Sequence, residues 1–199
     1  MISVYNIKPQ FQQVLTPILT YLHHHRITAN QITVSACLLS LLIGTGFWFA
    51  DINRLLFLVL PVGLLLRMAL NALDGMMARK YDQITRKGEM LNELGDSISD
   101  LFVFFPLLKF QPESLYLVVV FIALSIINEY AGIMGKVIAG ERRYEGPMGK
   151  SDRAFLLGVY GLLSALGIGM GNYAPYIIGV VILLLCISTW TRIRKTLQK

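Results

Sequence analysis

Apolar residues gather into six runs, about 31–50, 55–78, 88–109, 114–138, 153–170 and 173–192, joined by short connections. Each run approaches the roughly 20 residues a helix needs to cross about 30 Å of hydrocarbon. Of 199 residues, 55% are hydrophobic and only 15% charged, too apolar a balance for a soluble domain of this size. The expected fold is an all-α integral membrane protein with six transmembrane helices, preceded by an N-terminal interfacial amphipathic helix. Residues 1–25 would form that first segment and 26–199 a single membrane domain. The second and third runs count as spans only if their polar residues face inward.

Charge sets the expected orientation. One set of connections and both ends carry Lys8, Arg26, Arg79, Lys80, Arg86, Lys87, Arg142, Arg143, Lys150, Arg153, Arg192, Arg194, Lys195 and Lys199, whereas the other set carries only Arg54 and Lys109. The positive-inside rule puts the first set, with both termini, in the cytoplasm. The net charge of +6 is thus spent on topology, and no basic patch suggests nucleic acid. Cys37 and Cys186 lie in apolar runs and read as small buried hydrophobes. No cleavable signal peptide is expected, because the first apolar stretch is short and carries Pro17. In that stretch Phe11, Val14, Leu15, Ile18, Leu19 and Leu22 share one helical face, to lie on the membrane or to pack on the protein's own surface. His23, His24 and His25 follow; neighbours about 100° apart on a helix cannot face one metal ion. Gly158, Gly161, Gly167, Gly169 and Gly171 read as a thinned fifth helix made for close packing.

Chemistry concentrates between Asn71 and Asp96. The spacing is Asn-x2-Asp-Gly-x2-Ala-Arg-x8-Gly-x3-Asn-x3-Asp, two helical stretches joined by a basic turn. Asn71, Asp74 and Ala78 share a face of the first helix, and Gly88, Asn92 and Asp96 a face of the second. At about 1.5 Å per residue, Asp74 and Asn92 lie some 6–8 Å from the inner ends of their helices, and Asn71 and Asp96 about 12 Å. The four polar groups form two matched levels of oxygen donors, as a hard cation requires. Gly75, Ala78 and Gly88 would leave room for a base or a diphosphate, with the Arg79 fork at the mouth. Cation-assisted substitution at phosphorus fits these parts. Deeper, at about 18 Å, Arg67 and Asp100 are level and expected to pair, with Glu129 the competing acid.

The motif resembles the signature of the CDP-alcohol phosphatidyltransferases, Asp-x2-Asp-Gly-x2-Ala-Arg-x8-Gly-x3-Asp-x3-Asp, with every spacing matched. R-I-T-A-N-Q-I-T at 26–33 is similar to that family's Pro-Asn-x-x-Thr lead into the first span, with Ala29 for proline. G-P-M-G-K-S-D-R-A at 146–154 resembles a basic segment before the fifth span in a bacterial inner-membrane branch. The resemblance implies a homodimer of six-helix subunits. It implies Mg²⁺ or Mn²⁺, a CDP-alcohol donor such as CDP-diacylglycerol, an alcohol acceptor, and release of CMP in phospholipid synthesis. It makes Asn71, Asp74, Asn92 and Asp96 the metal positions, with Asp96 also the general base. Gly75, Ala78, Arg79 and Gly88 would hold the CDP group, and Lys150 and Arg153 would bind an anionic acceptor or lipid phosphate, or serve topology alone.

Two signature aspartates are asparagines here, at 71 and 92. An amide offers oxygen without charge, so cation affinity should fall. Glu93, about 60° from Asp96 on the helical wheel, is a candidate replacement carboxylate. Phosphatidylglycerophosphate synthesis, an inactive lipid-binding role and a small transporter are the other readings. Transporter sites lie at the midplane between inverted repeats, and no repeat stands out.

Overall fold

The computed structural model describes the backbone of residues 8–198 and the side chains of 10–198. Residues 1–7 of the N-terminal segment and the charges of Lys8 and Lys199 lie outside the described residues. Among the described residues every regular element is helical. The order is α1 Lys8–His24, α2 Ala29–Trp48, a 3-10 turn Arg54–Leu58 leading into α3 Val59–Lys80, and α4 Arg86–Phe104. Then come the short α5 Leu107–Phe110, α6 Leu115–Ala139, α7 Lys150–Ala165 and α8 Ala174–Leu197. The chain divides into two compact units, one ending at Val103 and the other beginning at Phe104.

Boundaries depart from the apolar runs where local chemistry overrides hydropathy. α2 starts two residues early because Thr28 and Gln31 form a reciprocal capping box, with bonds of 2.8 and 3.3 Å. The third run does not continue as one helix to 109, since α4 stops at Phe104 and Pro106 opens a separate turn. The fifth helix ends at Ala165, not 170. Gly167 takes φ +80° and its N–H bonds Ser164 O at 3.0 Å, the left-handed stop that favours glycine. Of the five glycines expected to thin that helix, Gly158 and Gly161 are buried in it, while Gly169 and Gly171 lie beyond it in open space.

Among the described residues four stretches are long and apolar enough to cross a membrane: Ala29–Trp48, Arg54–Lys80, Pro112–Ala139 and Ala174–Leu197. α4 and α7 fall short of that standard. α7 has only 16 residues, and α4 carries the polar half of the motif.

In the first unit α2 runs along α3, and α1 packs beside them. Leu15 and Leu19 of α1 are buried with Ala29, Ile32, Leu73 and Met77, and His23 stacks on Tyr81 at 3.5 Å. The apolar stripe of α1 is therefore split, because Val14 and Ile18 remain exposed. α2 meets α4 at Gly44, where an added methyl would overlap the Phe102 carbonyl. Backbone cannot give way as a side-chain tip can. Gly44→Ala is accordingly expected to cost about 1–3 kcal/mol, read as a lower thermal midpoint of the solubilised protein.

In the second unit α6 lies along α8, and the connection before α7 is tucked against both. Arg143 N–H donates to Gly132 O at 3.0 Å, Ser188 Oγ donates to Glu145 O at 3.3 Å, and Gly146 at φ +103° sits against Ser188. Burial alone would push the Glu145 carboxyl up. Hydrogen bonds from its own and Tyr144's backbone N–H and from Lys195, with the Lys195 charge, outweigh that and hold it below its ordinary value.

Candidate functional site

The motif turn is short and fully capped. Tyr81 N–H closes α3 onto Met77 O, Asp82 adopts φ +53°, and Gln83 N–H returns to Ala78 O at 2.9 Å. Thr85 then caps α4, its hydroxyl accepting the Gly88 N–H at 3.0 Å. This brings the C-terminal end of α3 beside the N-terminal end of α4, with motif residues of the two helices in contact.

The two matched levels are present. Asn92 Nδ2 donates to Asp74 Oδ2 at 3.3 Å, and Asn71 Nδ2 donates to Asp96 Oδ1 at 3.2 Å. Asp74 is only 2% exposed, while Asn71, Asn92 and Asp96 are partly buried. One level deeper, Arg67 Nη2 meets Asp100 Oδ1 at 2.6 Å, with both side chains buried. Glu129, the other acid considered for Arg67, lies in the second unit, where it receives Arg142 Nη2 at 3.0 Å and Arg153 Nη2 at 3.1 Å, with Arg192 Nη1 at 3.9 Å.

A third helix contributes what the spacing alone did not reveal. Thr33, on α2, donates its hydroxyl to Asp74 Oδ2 at 2.9 Å, with Ala29 O also in reach at 3.1 Å. Asn30 Oδ1 lies where a Cβ at Gly88 would be met at 2.7 Å, and Gln83 Oε1 accepts the Ala29 N–H at 2.8 Å. The signal was in R-I-T-A-N-Q-I-T, where Asn30 and Thr33 lie nearly one turn apart, but nothing in one sequence says which carboxylate Thr33 meets. Thr33→Val keeps the shape and removes the donor. It is expected to cost about 1.5–3 kcal/mol of stability, checked by thermal unfolding.

The small residues are not empty space. The Arg79 guanidinium lies over Gly75, 3.2 Å from where a Cβ would stand, and Ala78 packs against the cluster of Leu15 and Leu19. Both covers, Arg79 and Asn30, are the far ends of side chains, which a ligand can displace. A cleft of about 260 Å³ lined by Thr28, Ala29, Asn30, Gln83 and Thr85 opens beside Gly88. A larger hollow of about 470 Å³, lined by His23, His24, Arg26, Ile27 and Gln83, contains no motif residue.

Among the described residues no three His, Cys, Asp or Glu side chains gather closely enough to hold a metal ion. Glu93, which is partly buried, does not join Asp74 and Asp96 in such a group. The carboxylates of Asp74 and Asp96, with the amide oxygens of Asn71 and Asn92, could hold a hard cation that shares its shell with a phosphorylated ligand.

Lys150 and Arg153 stand on the first turn of α7, in the second unit. Arg153 is 2% exposed and donates to Met148 O as well as to Glu129. Arg192 donates to Asn128 O at 2.6 Å and to Glu145 O at 3.2 Å. Sequence reasoning singled out Arg153 but missed that Arg142 and Arg192 converge on the same acid.

The CDP-alcohol phosphatidyltransferase family profile matches residues 26–191. Inner membrane protein YnbA of Escherichia coli strain K12 is 46% identical over 164 residues, 82% of this chain and 81% of that protein. The fold is similar to phosphatidylinositol phosphate synthase of Mycobacterium tuberculosis with CDP-DAG bound. There the TM-score is 0.75 at 20% identity, over 92% of this chain and 94% of that one. The same synthase with manganese and citrate gives 0.74 at 20% identity, over 91% and 88%.

Proposed function

Because the chain belongs to the CDP-alcohol phosphatidyltransferase family, we propose that it moves a phosphatidyl group from a CDP-alcohol, most simply CDP-diacylglycerol, to the hydroxyl of a second alcohol. The observation that carries this reading is the pair of levels on α3 and α4, Asn92 with Asp74 and Asn71 with Asp96, at the family's spacing.

Asp74 and Asp96, with the amide oxygens of Asn71 and Asn92, would hold a divalent cation, Mg²⁺ or Mn²⁺. When bound, that ion supplies charge neutralisation at the diphosphate. The remaining work falls to this chain's residues. Asp96 takes the proton from the attacking hydroxyl as its oxygen bonds to the phosphatidyl phosphorus, and the bond to CMP breaks. Arg79 turns its fork from Gly75 to the leaving phosphate. Gly75, Ala78 and Gly88 let the CDP group approach the helix backbones. Thr33 holds Asp74 in place from α2.

The acceptor is read from the second unit. Arg142, Arg153 and Arg192 gather on the carboxylate of Glu129, and Lys150 begins the helix that carries Arg153. A basic cluster of this kind favours an acceptor that itself carries phosphate, such as glycerol 3-phosphate, over a neutral alcohol. Six helices, α2, α3, α4, α6, α7 and α8, cross a bacterial inner membrane in this reading, α4 and α7 with their polar residues turned inward. Both termini and the motif turn face the cytoplasm, and two chains pair. The exposed Val14, Ile18 and Tyr21 of α1 would rest in the headgroup layer.

The test is CMP release by purified protein from CDP-diacylglycerol with Mg²⁺ or Mn²⁺, across glycerol 3-phosphate, glycerol and serine. Turnover with glycerol 3-phosphate well above the neutral alcohols is expected. CMP release from no donor would overturn the transfer reading; equal rates with all acceptors would overturn the anionic one.

A further inference from the structure

We propose that Asn71 and Asn92 hold the place of the cation in the free protein, so that the site is folded without its ion and admits it together with the donor's diphosphate. The inference rests on reading these four residues as the metal site. An ionised carboxylate can only accept hydrogen bonds. An amide 3.2 or 3.3 Å from one must therefore present its NH₂, as Asn71 does to Asp96 and Asn92 to Asp74. Each donor partly neutralises its carboxylate, the service a bound cation would perform. Asp74 is 2% exposed, so water can do little of this work.

Aspartates at 71 and 92 would set carboxylate against carboxylate at both levels, an arrangement that calls for a cation between them. With asparagine, ligation requires each amide to turn and exchange Nδ2 for Oδ1, breaking its bond to the acid. Two carboxylates remain to attract the ion, the number with which Mg²⁺ is commonly bound when substrate phosphates complete its shell. The free protein thus has two stable hydrogen bonds to lose and little charge to gain. Once the diphosphate brings its own oxygens, the exchange becomes favourable.

The experiment compares the full chain with Asn71→Asp, Asn92→Asp and the double variant. All are purified in detergent with Mn²⁺ and then treated with chelator. Thermal unfolding is followed with and without added Mn²⁺, in the absence of substrate. Chelation should move the wild-type midpoint by about 2 °C or less and the double variant by about 5–10 °C, each single variant falling between. Mn²⁺ should restore the variants. A chelated double variant as stable as wild type would overturn the placeholder role while leaving the metal site intact. A wild type that loses as much as the double variant on chelation would also overturn it. No response to Mn²⁺ in any of the proteins would remove the metal-site reading, and this inference with it.

Discussion

Asp96→Asn should abolish CMP release, a loss of about 100- to 10,000-fold, the span usual for a lost general base. The substitution keeps the size and shape of the side chain, and the residue lies partly buried at the deeper of the two levels, facing Asn71. What disappears is the negative charge and the ability to take a proton from the acceptor hydroxyl. Asn71 can turn its amide to meet the new neighbour, so the helix pair keeps its contact. The thermal midpoint should therefore stay within about 2 °C of wild type while activity is lost. That separation between stability and rate distinguishes a chemical role from a structural one. An active Asp96→Asn protein would remove the residue from the mechanism.

The largest expected loss of stability comes from breaking Arg67–Asp100. The pair is 2.6 Å apart with both side chains about 5% exposed, so either charge left without the other stays buried, with little water to replace what it lost. Arg67→Met or Asp100→Leu alone should cost about 3–5 kcal/mol, since removing one member strands the other. The double replacement removes both charges and should recover most of that loss, because well-packed apolar residues often match a buried pair. Folded yield and thermal unfolding of the three proteins decide it. A double variant no better than the singles would mean that the pair also orders the site, a role consistent with the contact of Arg67 Nη2 to Asp96 O at 3.5 Å.

Those inner contacts were legible because a helix converts sequence distance into height. Asn71 and Asp96, Asp74 and Asn92, Arg67 and Asp100 are each level when counted from the ends of their helices, and each pair is in contact. Counting heights says nothing about a helix whose position around the site is unknown. Thr33 lies 41 residues before Asp74, and their bond depends on how α2 rotates against α3. The covers over Gly75 and Gly88 were hidden for a related reason, since an absent side chain advertises room without naming what fills it. Glu93 shows the limit of the wheel: about 60° from Asp96 keeps a residue near a face without settling where its carboxyl lies. The end of α7 was written in Gly167, yet apolar residues on both sides of that glycine masked the stop.

The polarity of α4 bears on how such a chain gets into a bilayer. By composition α4 does not qualify as an independent span, whereas the stretch containing α3 does. On the six-helix reading, α4 presents Asp100 and Asp96 to hydrocarbon if it enters alone, and α3 likewise exposes Arg67. Entering as a hairpin, the two helices cancel Arg67 against Asp100 and cover Asp74 and Asp96 with amides before lipid meets them. The five residues from Tyr81 to Thr85 are long enough to turn the chain and too short to let the helices part. On that reading the contacts of the candidate site would also serve as the passport of its least apolar helix into the membrane.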